Sequence, residues 1–119
     1  METKDAIKAL AALSQESRLA IFRLLVEQGP MGLAVGKIAE RIGIAPATLS
    51  FHLKDLSHAG LISAQQNGRS ISYSTNFVTM NELLAFLTEN CCSGNAALCA
   101  PAGENPDSNI EADLLRAAK

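Results

Sequence analysis

Three cysteines near the C-terminal end carry the most reactive side chains in the sequence. Cys91 and Cys92 are adjacent and Cys99 follows seven residues later, so every thiol of the chain lies within one nine-residue segment. Thiolates are soft ligands that select soft ions. A disulfide between adjacent cysteines would be strained, because neighbouring residues poorly meet disulfide geometry. The pattern therefore predicts a site for a thiophilic ion, with Cys91, Cys92 and Cys99 as its ligands.

Other uses of these thiols stay open. Zinc or cadmium is a weaker option, because structural zinc sites usually have four ligands and only three thiols are close together. Vicinal thiols can also be oxidised and then resolved by Cys99, which would make a redox switch. A thiol enzyme is disfavoured, because the sequence contains no Cys-x-x-Cys and no glycine-rich phosphate loop. We therefore predict that the chain is not an enzyme.

The 119 residues predict one folded domain over 1–92 and a flexible tail over 93–119 that contributes a thiol ligand. The chain starts with polar residues, and no apolar run approaches the roughly 18 residues of a membrane span. Neither a secretory signal nor a membrane partner is therefore expected. An odd number of cysteines in an untargeted chain favours free thiols and a cytoplasmic location.

Charge is spread unevenly along the chain. The net charge of −2 would at first speak against a nucleic-acid partner. Residues 1–29 are neutral, residues 30–75 carry +2 and residues 76–119 carry −4. The middle region can therefore face DNA while the acidic region points away.

Apolar residues at helical spacing predict five helices. These helices are expected over residues 6–13, 14–28, 34–42, 47–58 and 78–90. Ser14 or Ser17 is expected to cap the second helix. Gly43 ends the third helix, and Pro46 suits the first turn of the fourth. Two helices joined by such a short turn are typical of a helix-turn-helix.

Over residues 61–75 the sequence pattern changes from helical spacing to short stretches that favour β-strands. Asn67 and Gly68 lie between two β-permissive stretches and predict a type I′ hairpin turn. The expected fold is mainly α with a small β-hairpin: a winged helix-turn-helix of five helices and a two-stranded wing.

The fourth helix and the wing supply candidate DNA contacts, because the second helix of such a unit enters the major groove. Small and polar residues fill its outer face, and a residue at the wing tip can reach phosphate or a minor groove. The predicted DNA-contacting residues are Ala47, Thr48, Ser50, Phe51, His52, Lys54 and Arg69. For His52 two roles stay open, a contact to phosphate and packing against the neighbouring helix.

The fifth helix is apolar on more than one side, since Phe86 lies off its main stripe. A small domain cannot easily bury so much apolar surface, so we expect a homodimer through the N- and C-terminal helices. The predicted dimerisation residues are Ile7, Leu10, Met80, Leu83, Leu84 and Leu87.

Three blocks of sequence resemble the ArsR/SmtB family of metal-responsive repressors. They run from Leu10 to Leu25, from Pro46 to Leu61 and from Asn67 to Tyr73. The likeness covers roughly residues 5–92, with the blocks in the family's order and spacing. It implies a homodimeric winged helix that binds an operator palindrome in double-stranded DNA and releases it when an inducer binds.

The resemblance also bears on the inducer. The Cys-Val-Cys that many arsenical repressors of the family carry in the third helix is lost here, to Ala34 and Gly36. The last helix has neither the Asp nor the His of the family's zinc sensors. Some family members with a Cys-Cys pair at the end of that helix are arsenite sensors, and this sequence is similar to them. It implies a repressor of an arsenic-resistance operon induced by As(III), or by Sb(III), with no organic cofactor and no protein substrate.

Overall fold

The computed structural model describes residues 1–91, and the predictions for Cys92, Cys99 and the tail lie outside that range. The five predicted helices are present, which confirms a mainly helical winged helix-turn-helix. The helices are α1 (Thr3–Leu13), α2 (Glu16–Gln28), α3 (Val35–Ile42), α4 (Pro46–His58) and α5 (Phe77–Leu87). The strands are β1 (Leu33–Ala34), β2 (Ile62–Asn67) and β3 (Ser70–Thr75).

The sheet has three antiparallel strands in the order β1-β3-β2, one more than the predicted two-stranded wing. Leu33 pairs with Tyr73, so β1 ties the approach to α3 to the wing. A two-residue strand has no periodicity that a sequence pattern could reveal. Gly32, with φ of +70°, makes this approach possible, because a Cβ there would collide with the Tyr73 carbonyl group.

The hairpin turn lies one residue later than predicted. Asn67 pairs with Ser70, so Gly68 and Arg69 form the two-residue loop. Gly68 has a φ of +64°, whereas Asn67 is not among the residues with positive φ. Arg69, at the second loop position, does not have a positive φ. A type I′ turn requires a positive φ at both loop positions and a type II′ turn only at the first, so the turn is of type II′ and the predicted type I′ turn is wrong.

The start of α2 also differs from the prediction. The side chain of Gln15 caps this helix by accepting a hydrogen bond from the Arg18 N–H at 2.8 Å. Ser14 instead donates its hydroxyl to the Ala11 carbonyl oxygen at 2.7 Å, which closes the end of α1. Neither Ser14 nor Ser17 is therefore the cap, because the side chain of Gln15, which lies between them, accepts the Arg18 N–H.

Two asparagines flank α5, the last helix within residues 1–91: Asn76 precedes it and Asn90 follows it. Asn76 accepts the Thr79 N–H at 3.2 Å and so satisfies an amide of the first turn. The helix ends at Leu87, three residues before the predicted end, and Asn90 has a φ of +56°. That left-handed backbone is one an asparagine tolerates and a continuing helix does not.

The core of the described residues is aliphatic. Its largest fully buried side chains come from α2, α3, α4 and the residue before β2: Ile21, Leu25, Ile38, Leu49, Leu56 and Leu61. Each such side chain contributes roughly 1.5–3 kcal/mol through burial. Met1–Leu84 form one compact unit, and a second unit begins at Ala85. No helix within residues 1–91 is long and apolar enough to cross a membrane.

Candidate nucleic-acid interface

The turn between α3 and α4 fixes how α4 leaves the core. Gly43 has the left-handed φ of 78°, and its N–H donates to the Ala39 carbonyl at 2.8 Å. Ala45 then has an extended backbone, and Pro46 occupies the first turn of α4. Ala45 offers no side-chain cap, so the amides of this first turn have no side-chain acceptor. The α4 N-terminus is therefore open to an anion.

One side of α4 is fixed in the core and the other faces solvent. Leu49, Leu53 and Leu56 are at most 2% exposed. The opposite side, called here the α4 surface, consists of exposed side chains that sequence analysis assigned to DNA: Ala47, Thr48, Ser50, Phe51 and Lys54. Phe51 is 71% exposed, which is unusual for an aromatic side chain without a partner.

Two of the predicted DNA-contacting residues have constrained side chains. Ser50 donates its hydroxyl to the Pro46 carbonyl oxygen at 3.1 Å, so its oxygen is left as an acceptor. His52 is half-buried, and its Nδ1 is buried without a hydrogen-bond partner among the described residues. Nδ1 therefore cannot reach a phosphate. Of the two roles predicted for His52, packing against the neighbouring helix is the better supported.

The wing tip presents a single cation. Arg69 is exposed in the turn between β2 and β3. Gln66 donates its side-chain amide to the Gly68 carbonyl at 3.2 Å, which braces the turn from one strand. Within residues 1–91 the Arg69 guanidinium forms no ion pair, so its charge is available to a phosphate.

Sequence analysis missed Arg18, which connects three helices. Its Nε donates to the carbonyl oxygen of Ala12 in α1 at 2.6 Å. One terminal nitrogen lies 3.4 Å from a carboxylate oxygen of Asp55 in α4. The Arg18 side chain is only 19% exposed. No helical periodicity signals such a contact, because Arg18 and Asp55 are 37 residues apart.

The predicted dimerisation residues divide into exposed and buried ones. Ile7 and Leu10 are 61% and 42% exposed, because α1 packs its alanines inward. Leu84 and Leu87 are also exposed, at 44% and 54%.

The other two dimerisation residues lie deeper. Met80 is half-buried, and Leu83 is only 6% exposed. The assignment of Leu83 to a dimer face is therefore corrected, because its side chain belongs to the core of its own protomer.

Of the predicted thiol ligands, only Cys91 lies among the described residues. It is a free, half-buried cysteine four residues after the end of α5. Its N–H donates to the Thr88 carbonyl at 3.0 Å, which continues a helical turn beyond the helix end. Residues 1–91 contain no group of three His, Cys, Asp or Glu side chains that could hold a metal ion.

Comparisons with known proteins agree with this geometry. A helix-turn-helix domain family matches residues 13–63, which include α2 to α4. The HTH-type transcriptional regulator YceK of Bacillus subtilis is 37% identical over 83 residues, which cover 68% of this chain and 77% of YceK. Its own function is described as uncharacterised.

Two solved structures have the same fold. An ArsR-like transcriptional regulator from Rhodococcus sp. RHA1 superimposes with a TM-score of 0.63 and 26% identity, over 71% of this chain and 76% of that one. The homodimeric winged helix-turn-helix DNA-binding domain of Mb0332 from Mycobacterium bovis superimposes with a TM-score of 0.58 and 28% identity. The match covers 73% of this chain and 81% of that one.

These relatives are transcriptional regulators and not enzymes, as predicted for this chain. The three sequence blocks, the order of helices and wing, and the ArsR-like neighbours all indicate one classification. The chain belongs to the ArsR/SmtB family of winged-helix transcriptional regulators.

Proposed function

We propose that this regulator is a homodimeric repressor of an arsenic-resistance operon. Without inducer it binds operator DNA through α4 and the wing. Trivalent arsenic, or antimony, binds Cys91, Cys92 and Cys99 and releases the DNA. The observation that carries the DNA-binding part is the α4 surface. Its side chains are exposed and mostly small, and the N-terminus of α4 has no side-chain cap.

The charges of the described residues support a DNA partner. Lys54 and Arg69 are exposed on α4 and the wing, and neither forms an ion pair within residues 1–91. A cation on the helix positions the major-groove contact, and a cation on the wing reaches the flanking backbone. Few cations are involved in each protomer, so affinity depends on two protomers binding together.

A homodimer is supported by the aliphatic side chains that the protomer leaves exposed on α1 and α5. Ile7 and Leu10 project from α1, and Leu84 and Leu87 project from α5. The two residues of each pair are three apart in sequence, so they are neighbours on one helix face. Contiguous exposed apolar surface of this kind is typical of an interface. Mb0332, which has the same fold, is described as homodimeric. A twofold dimer would present two copies of α4 to the two halves of a palindrome.

The inducer part of the proposal is supported by the chemistry of the thiols. Cys91 is free and lies beside the C-terminal end of α5, and the sequence continues with Cys92 and Cys99. Arsenous acid reacts with three thiols to form three As–S bonds and release three water molecules. No oxidant or reductant is consumed, and soft thiolates favour this ion over hard cations.

Release follows if arsenic-bound and DNA-bound dimers favour different geometries. Linking residues that follow α5 would change the end of a helix that we assign to the dimer interface. The coupling is reciprocal, so DNA must weaken arsenic binding by the same factor. A 10- to 100-fold loss of operator affinity requires about 1.4–2.7 kcal/mol of coupling.

Arsenite-dependent release tests the proposal. A duplex is first selected from a random-sequence pool by repeated binding to the wild-type protein. Arsenite is then titrated into the complex under reducing conditions, and release is followed by fluorescence anisotropy. We expect release of wild type, and an arsenite requirement raised about tenfold or more for Cys91→Ser, Cys92→Ser and Cys99→Ser.

The matched control is Ser93→Ala, which leaves the thiols intact and should respond like wild type. Normal release of all three cysteine variants would refute the site. Release by peroxide and not by arsenite would favour the redox alternative, and release by zinc or cadmium alone would favour a divalent-ion sensor.

A further inference from the structure

Arg18 occupies a junction between the N-terminal helix and the helix proposed to contact DNA. It lies in the first turn of α2, where its backbone N–H is held by the Gln15 side chain at 2.8 Å. Its guanidinium donates to Ala12 in α1 at 2.6 Å and meets Asp55 of α4 at 3.4 Å. One side chain therefore touches both α1 and α4.

The contact differs from the other ion pairs within residues 1–91. Lys37 and Glu40 lie 3.7 Å apart in one helix, with side chains 64% and 72% exposed. Arg18 joins separate elements and is 19% exposed. The bond from its Nε to the Ala12 carbonyl oxygen already restricts the side chain, so less rotamer freedom is lost when the guanidinium meets Asp55.

A directional contact at Asp55 has consequences for the α4 surface. The buried side of α4 is held by leucines, and hydrophobic packing is not directional. Asp55 follows Lys54 directly and lies four residues after Phe51, which is one helical turn away. A bond to Asp55 therefore fixes the rotation of the turn that carries these two side chains.

We propose that Arg18 is a positioning residue that transmits the placement of α1 to α4. The proposal rests on the proposed function, in which α1 belongs to the dimer interface and α4 binds DNA. A change in the dimer interface that moves Ala12 then moves Arg18 and, through Asp55, the DNA-contacting side chains.

Positioning and simple electrostatics predict opposite signs for the loss of Asp55. Removal of a negative charge close to DNA strengthens binding to any sequence, because less repulsion of phosphate remains. Removal of a positioning contact weakens binding to the selected duplex, because Phe51 and Lys54 lose their fixed orientation. The Asp55 side chain is 55% exposed, so Asp55→Ala leaves the core intact.

The test measures binding of Asp55→Ala to the selected duplex and to a scrambled duplex. We expect affinity for the selected duplex to fall about fivefold and affinity for the scrambled duplex to stay level or rise. The control is Glu40→Ala, which removes a carboxylate from α3 that is 72% exposed, against 55% for Asp55. It should bind both duplexes at least as well as wild type. Tighter binding of Asp55→Ala to the selected duplex would overturn the proposal.

Arg18→Lys provides a second variant, because a lysine keeps the charge but cannot hold two partners in the geometry of the guanidinium. We expect the same loss as for Asp55→Ala, and no further loss when the two are combined. Additive losses would overturn the proposal.

A measurement without DNA separates this proposal from the proposed function. Residual dipolar couplings of backbone amides report the orientation of α4 relative to α2. We expect that orientation to change in Asp55→Ala and Arg18→Lys and to remain unchanged in Glu40→Ala. An unchanged orientation in all three variants overturns the positioning role even if the wild type selects no duplex.

Discussion

The α4 surface and the exposed side of α1 are both open to solvent in the protomer, but they offer different chemistry. The α4 surface carries small polar groups with one aromatic ring and one cation. The exposed side of α1 carries Ile7 and Leu10, because the alanines of that helix face the core. The α4 surface suits DNA, which offers phosphates and the edges of bases, and the exposed side of α1 suits another apolar surface. Exposure alone therefore does not indicate the class of partner, whereas the chemical composition of the exposed side chains does.

The largest effect is expected at Ile7, where a charge would have to be buried between two protomers. Ile7→Glu should yield a monomer and reduce affinity for the selected duplex by about 100-fold or more, because each protomer then binds a half-site alone. Sedimentation velocity and anisotropy measure the two changes. Met31→Glu is the control, because Met31 is 88% exposed and lies outside both α1 and α4. A dimeric Ile7→Glu would place the interface elsewhere.

An intermediate effect is expected at the cation of the α4 surface. Lys54→Ala should weaken binding about tenfold at low salt and reduce the slope of log affinity against log salt by about one per protomer. Lys4→Ala removes the same charge from α1, where the side chain is 82% exposed, and should leave the slope unchanged. Equal slopes for the two variants would contradict the assignment of the α4 surface to DNA.

The smallest effect is expected at Phe51, and it sharpens what the α4 surface recognises. An exposed ring among small side chains is suited to thymine methyl groups. Replacement of thymine by uracil in the selected duplex should weaken wild-type binding about fourfold for each contacted methyl group. Phe51→Ala should bind both duplexes equally, whereas Ser50→Ala should keep the preference. An undiminished preference in Phe51→Ala would exclude the ring as the reader of these methyl groups.

Much of the fold could be predicted from the sequence, because helical periodicity is local. The spacing of Leu49, Leu53 and Leu56 was sufficient to place the buried side of α4, and with it the exposed side. The stripe on α5 was less informative, since apolar spacing does not tell whether Leu83 meets its own protomer or a partner. The structure shows that Leu83 is buried in its own protomer.

The features missed by the sequence analysis depend on single contacts. Strand β1 exists because Gly32 permits close approach to Tyr73, and a two-residue strand has no pattern. The bond between Arg18 and Asp55 joins helices that are distant in sequence. Neither contact has a local signal, so only the assembled fold reveals them.

The most direct test of the central claim, that the α4 surface and not α1 contacts DNA, is an NMR titration of the labelled dimer with the selected duplex. The amide signals of Thr48, Phe51 and Lys54 should shift or broaden strongly, while the Ile7 methyl signal should stay in place. Perturbation of Ile7 with an unperturbed α4 would contradict the claim.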